Sequence, residues 1–324
     1  MATRKEVAAY AGVSVATVSN VVNGTKFVSE KVKKKVEDAI KILDYHPNMI
    51  ARGLATKETR HVAIMVNNLK NGYYTEILEG AQSVASEYGY IVSIILLDYT
   101  NQMETLDMAS RGLDGVFLTT VRAREVQKLM EQKICLTMDD LGIQVDYSTG
   151  IREAVHSLKQ HGHTQIAFLS GLKLKDDGSH PRWDCFREAC REEGLLINQN
   201  LVVDANDRQS TDEKAGVESV QKLLQRKEKF SAVMMTNDLM AVGAIGELER
   251  NGYRVPEDVS VIGCDNSQMS KYYLPTISTL DVQVFELGRS IMHNMLCRIK
   301  DKPVKNKVIL TRYIERESVA DVIE

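Results

Sequence analysis

No apolar run in the chain approaches the roughly 18 residues needed to span a bilayer, so a membrane protein is not expected. The N-terminus, MATRKEVAAYAGVS, also lacks the long apolar segment of a secretion signal, and a cytoplasmic location is expected. Cysteine is scarce and unpatterned: Cys135, Cys185, Cys190, Cys264 and Cys297 are odd in number and show no CxxC spacing. They read as reduced, buried thiols rather than staples or zinc ligands. A phosphate loop, a Gly-rich dinucleotide turn after the first strand and a GxSxG elbow are all missing, so neither catalysis nor a cofactor is expected. His161-Gly-His163 is a spacing that suggests a metal, but it falls where a helix ends and a strand begins, and a C-cap turn accounts for it. The single Trp183, beside Arg182, reads as core or cleft wall.

What is present is an ordinary globular composition, 44% hydrophobic and 26% charged, over 324 residues. That length is too great for one ordinary domain and suits a small module joined to a bilobal core. The net charge of −3 says little, whereas its distribution says more. Residues 1–60 carry a net +5 and the remainder a net −8. A small basic module on an acidic body points the first sixty residues toward a polyanion.

Thr3-Arg-Lys-Glu6 has the form of a capping box, starting a helix with Val7, Ala8 and Ala11 on one face. Gly12 ends it, Val13 plugs the corner and Ser14 caps a second helix. Val18, Val21 and Val22 fall on that helix's inward face, and Val15, Ala16, Ser19 and Asn20 on another stripe. A third helix follows Ser29, with Val32, Val36, Ile40 and Leu43 inward and Lys31, Lys33, Lys34 and Lys35 outward. Two short helices joined at a glycine and packed on a third form a helix-turn-helix, although spacing alone fits any small three-helix bundle.

The strings AAYAGVSVATVSNVVNG and VSEKVKKKVEDAIKILDYHPNMIARGLA closely resemble the headpiece and hinge of the lactose/galactose-repressor family. The resemblance implies that the second helix enters the DNA major groove with Val15, Ala16 and Asn20 at the positions that vary with operator sequence. Asn20 can pair bidentately with adenine, and Val15 and Ala16 can touch thymine methyls. Many relatives carry arginine at the Asn20 position, so an operator cannot be assigned by analogy. Thr3, Ser14, Thr17, Ser19, Asn23 and Tyr45 are expected to hold phosphates, with packing the other role open to Thr17. After His46-Pro47, Asn48 can cap a short segment, 49–55, containing Ala51, Arg52 and Leu54. So short a helix does not stand alone in water. In the family it orders against its partner and the minor groove, where Leu54 would be the wedge; a plain linker is the alternative.

From His61 onward, strand-like runs at 62–66, 91–97, 115–119, 134–138, 165–170, 201–204, 232–236 and 259–264 alternate with helical patterns, as in parallel α/β sheets. The stretches LKQHGHTQIAFLSG, VMMTNDLMAVGAIGELERNGYRVPEDVSVIGCDN, LPTIS and RYIERES resemble the periplasmic-binding-protein-like core of the same family. The implied fold is α/β: an all-α helix-turn-helix headpiece (1–45), a hinge (46–60) and a two-lobed type I core (61–324). Its N-lobe would comprise about 61–155 and 283–308, and its C-lobe about 156–282 and 309–324. Ligands bind such folds at strand carboxyl ends between the lobes. Polar groups stand at strand ends in Asp139, Asn237, Asp238 and Asp265, with Arg182 opening a helix, and these suit a hydroxyl-rich sugar. The resemblance implies effector contacts from Arg182, Asn237 and Asp265 and from the aromatic pair Tyr73 and Tyr74. Helix capping by Asn237-Asp238, and core or interface roles for the tyrosines, remain open. Asp140 stands where many relatives have arginine, and Thr211 near their aromatic stacker.

The expectation is a repressor that binds a pseudo-palindromic double-stranded operator as a homodimer, since no heptad extension follows the last strand. A sugar or sugar phosphate would control it. Control by a phosphocarrier-type protein corepressor on the N-lobe is the alternative, and a plain solute-binding protein a remote one.

Overall fold

The computed structural model describes residues 2–23, 26–45, 58–96, 112–119, 135–174, 180–205 and 210–322. These fall into two compact units, residues 1–60 and 61–324.

In the first unit, α1 (Arg4–Ala11), α2 (Val15–Asn23) and α3 (Glu30–Ile42) close around a small core of Val7, Ala8, Ala11, Val18, Val36, Ala39 and Tyr45. Val13, Val21, Val22, Ile40 and Leu43 pack partly against it, so the inward faces lie where periodicity put them. Gly12 takes φ +63°, a left-handed turn open to glycine at little cost, and lets the chain reverse between α1 and α2.

The second unit holds two parallel layers. One is a four-stranded sheet in the order β2–β1–β3–β4, from β1 (His61–Val66), β2 (Ile91–Leu96), β3 (Gly115–Leu118) and β4 (Cys135–Leu136). Against it lie α4 (Gly72–Glu87) and, from late in the chain, α10 (Val284–Ile299). The other is a six-stranded sheet in the order β12–β10–β9–β8–β6–β7. Its strands are β6 (Ile166–Leu169), β7 (Val202–Val203), β8 (Ala232–Met235), β9 (Ser260–Cys264), β10 (Ser278–Asp281) and the antiparallel edge β12 (Arg312–Ile314). Its helices are α5 (Ser148–Gln160), α6 (Pro181–Glu192), α7 (Glu213–Gln225), α8 (Asp238–Arg250) and the short α9 (Gln268–Tyr272). Every residue of β6, β8 and β9 is buried, which is why these runs show no polar alternation in the sequence.

Between the layers, β5 (Ile143–Asp146) pairs in parallel with β11 (Lys307–Leu310). Two crossings are tied together there: the Thr311 amide and hydroxyl both donate to Asp146 O at 3.0 Å. A third is tied in by Gln283, at φ +52°, whose Nε2 donates to Leu310 O at 2.7 Å. Helix α5 packs on α6, β10 and β12 with Ile151, Ala154, Val155 and Leu158 buried. The first crossing therefore precedes α5, near Tyr147, and the boundary expected at about 155 falls inside that helix. Leu201, read as the start of a strand, belongs to a 3-10 turn (Gln199–Leu201) ahead of β7.

No helix among the described residues is long and apolar enough to cross a membrane, and no group of metal-ligating side chains occurs among them. His161 is the C-cap of α5, with Nδ1 2.7 Å from Asp321. His163 is buried, with Nε2 against Ala320 O and Nδ1 against Ser231 Oγ. All five cysteines are free. Trp183 is core, packed with Phe168 and Phe186.

Candidate nucleic-acid interface and interlobe cleft

The headpiece presents α2 through its caps. Thr3 Oγ1 accepts from Glu6 N at 3.4 Å and Glu6 Oε2 accepts from Thr3 N at 2.6 Å, completing the capping box of α1. These hydrogen bonds from Thr3 hold the Glu6 carboxyl below its usual range. Ser14 Oγ accepts from Thr17 N at 3.1 Å and lies 2.9 Å from Thr17 Oγ1, which starts α2. Val18 is fully buried, so the opposite side of the first turn faces out: Val15 is 43% exposed and Ala16 is exposed, while Ser19 and Asn20 are half-buried on the same stripe.

Tyr45 departs from a simple phosphate contact. Its ring is core and its hydroxyl accepts from Arg4 Nε at 3.1 Å, which leaves the phenol proton to donate outward. Thr3, Ser14 and Thr17 spend side-chain hydrogen bonds on helix starts. Asn48, Ala51, Arg52 and Leu54, and the side chain of Asn23, lie outside the described residues.

In the second unit the charged groups converge between the layers. Pro181 at the start of α6 sets Arg182 in place, and its Nη2 donates to Tyr147 OH at 2.9 Å while the guanidinium lies 4.4 Å from the Tyr147 ring centre. Arg182 Nε is buried with no hydrogen-bond partner among the described residues. Burial works against its charge, but Tyr147, Cys264 and Asp265 outweigh it and keep the guanidinium protonated.

Asp265, at the end of β9, is buried at 6% exposure with φ +116°, and Asn266 follows at φ +56°. Two successive non-glycine residues in that region cost about 1–3 kcal/mol each and persist only where their surroundings enforce them. Burial pushes the Asp265 carboxyl well up despite Arg182, and the nearby Asp238 adds to the effect.

Asp238 opens α8. It accepts from Thr279 Oγ1 at 2.5 Å and Ser267 N at 2.7 Å, yet burial still lifts its pKa to about 6. Tyr73 reaches this group from α4: burial raises its phenol, with Tyr147 and Asp265 adding to the effect. Tyr74, edge-on to Tyr73, turns into the four-stranded layer and donates to Asn67 Oδ1 at 2.9 Å.

Outboard of this group is a cavity of ≈ 510 Å³. Lys70, Gly72, Thr75, Glu76 and Glu79 line it from one layer, Asp238, Asp265, Ser267 and Met269 from the other. A hydroxyl-bearing molecule there could hydrogen-bond the Asp265 carboxyl, with the Arg182 guanidinium behind it.

Two expected effector residues serve other ends. Asn237 caps α8, its Oδ1 accepting from Met240 N and its Nδ2 donating to Thr211 O, both at 2.9 Å. Asp139 is exposed on a turn whose neighbour Asp140 is braced by Thr137 and, through its carbonyl, by Arg298. Tyr147, Glu76 and Ser267 were not singled out from the sequence. Tyr147 sits at a lobe crossing that no periodicity marks, and Glu76 reads as a solvated face until the second layer covers it.

A model of bacterial regulatory proteins, lacI family, matches residues 3–48, and one of a periplasmic binding protein-like domain matches residues 155–319. The chain is 32% identical to the HTH-type transcriptional repressor PurR of Vibrio cholerae over 99% of both chains. It is similar to the lac repressor dimer solved with operator and the anti-inducer ONPF, at TM-score 0.80 and 25% identity over 98% of this chain and 99% of that one. It is also similar to the transcriptional regulator CelR solved with cellobiose, at TM-score 0.69 and 27% identity over 98% of this chain and 100% of that one.

Proposed function

The chain belongs to the lacI family of bacterial regulatory proteins, whose members are DNA-binding transcriptional regulators and not enzymes, and we propose that it is a dimeric repressor of carbohydrate-related genes released or engaged by a small molecule in the interlobe cleft. The observation that carries the DNA-binding half is the exposed first turn of α2, displayed by two caps on a packed three-helix core. Val15, Ala16 and Asn20 read base edges, and Thr3, Ser14, Thr17, Ser19, Asn23 and Tyr45 position the phosphates. Asn48, Ala51, Arg52 and Leu54 act in the minor groove between the two hinges. A plain solute-binding protein has no use for that headpiece.

The control half rests on Arg182, whose Nε is buried with no hydrogen-bond partner among the described residues, and on the buried Asp265 carboxyl, beside a ligand-sized cavity. Leaving such groups unpaired is costly, which supports a ligand that completes them over control by a docked protein alone. Tyr73, at the same place, comes from the other layer, so a ligand there touches both lobes and can bias the angle between them.

The test is selection of bound duplexes from random DNA by the full-length protein. An inverted repeat with half-sites about one helical turn apart is the expected result. An unsymmetrical consensus would contradict the dimer, and none at all the DNA-binding reading.

A further inference from the structure

The cavity between the layers carries a charge pattern that bears on what enters it. Among the described residues, Glu76, Glu79, Asp238 and Asp265 line it, against Lys70 as the one lysine. The N-terminus of α4 also opens on it at Asn71 and Gly72 and adds about half a positive charge. The start of α8 is capped by Asn237, and the Asp238 carboxyl beside it accepts from Ser267 N. Arg182 and Lys271 stand nearby but do not line the space. Even with one proton shared between Asp238 and Asp265, the lining keeps an excess of negative charge.

Two further observations point to a missing donor. Asp265 is more than nine-tenths buried and lines the cavity, with, among the described residues, only the weak Cys264 thiol as a hydrogen-bond neighbour and Arg182 at longer range. Ser267 Oγ, also in the lining, is buried beside the Asp238 carboxyl and accepts from no donor among the described residues. A buried carboxyl that an arriving ammonium would ionise, and a hydroxyl with no donor, are complements of an ammonium and its neighbouring hydroxyls.

We propose that the cavity takes a polyhydroxylated amine such as an amino sugar, and discriminates against phosphorylated sugars. The ammonium sits among Glu76, Glu79 and Asp265, and the hydroxyl groups face Ser267, Thr75 and Asp238. A phosphate in the same space would meet four carboxyls with one lysine to offset them, at separations where each unit charge counts. The inference rests on the effector reading given above, and specifies its ligand class.

The test uses the full-length protein and charge-matched triplets on three rings: glucose, galactose and mannose, each as neutral sugar, 2-amine and 6-phosphate. Thermal unfolding and titration calorimetry are followed by selected-operator affinity. One amine is expected to bind at least about tenfold tighter than its neutral and phosphorylated counterparts. Glu79→Lys, on an exposed position, should erase that preference and improve phosphate binding, with the unliganded unfolding midpoint unchanged. A neutral or phosphorylated sugar that binds tighter than its amine, and shifts operator affinity, overturns the amine and leaves the effector reading standing. If no compound of any charge moves the midpoint or the operator affinity, both fall.

Discussion

At His180 a single side chain reports how dry the inner end of the cleft is. Its Nδ1 accepts from Trp183 N at 3.3 Å, so the ring proton is on Nε2, which faces Ser170 Oγ at 3.2 Å. Burial, with Arg182 adding to it, drops its pKa to about 4. A histidine whose folded pKa lies below its unfolded value stabilises the fold fully above about pH 6.5 and loses that contribution as the pH falls toward 4. The loss is on the order of 3 kcal/mol. His180→Asn keeps an acceptor for Trp183 N and has nothing to titrate. Urea unfolding should therefore fall less steeply between pH 6.5 and 4 for the variant than for the unaltered protein; equal slopes would mean that His180 is wetter than its surroundings indicate. No pattern in the sequence marks this residue, because its properties come from Phe168, Ser170 and Arg182, which the fold brings around it.

Among the elements, α4 and α10 show most plainly what packing adds to sequence. They touch backbone to backbone: a Cβ on Gly288 would lie 2.2 Å from Ile77 O, and one on Gly80 2.1 Å from Phe285 O. Gly288→Ala must separate the helices, and overpacking of that kind costs about 1–3 kcal/mol, more than the roughly 1 kcal/mol of helix propensity gained. Gly246 in α8 has only the tip of Arg250 nearby, at 3.7 Å, so Gly246→Ala should be neutral or stabilising by up to about 1 kcal/mol. Denaturant melts of the two variants decide it, and similar costs for both would contradict the close contact.

Most strands of the two layers were legible because buried parallel strands leave apolar runs such as HVAIMV and SVIGC, but β10 and the antiparallel edge β12 were not marked. The headpiece helices were legible from their caps. Not legible were β5 and β11: β11 buries only Ile309, and their pairing depends on a partner more than 160 residues away. The cleft was legible in part. Arg182, Asp265 and Tyr73 do converge, but Asn237 is absorbed by capping and Asp139 by a turn, since strand-end position alone does not say which way a side chain turns.

As a whole, the proposed repressor joins a reading head to a sensing body. The body's three crossings are stitched by Asp146, Gln283 and Thr311, so the two layers can reorient about one narrow seam. The head is basic and the body acidic, which leaves DNA to the head. The central claim is that α2 reads operator bases through its outward stripe, once from each copy. Operator selection with Asn20→Arg, set beside the unaltered protein, tests it most directly. The expected result is a change at one position in each half-site, from adenine toward guanine and symmetric about the centre, with a bidentate contact worth about 1–3 kcal/mol of discrimination. An unchanged consensus, or a change on one side only, would contradict it.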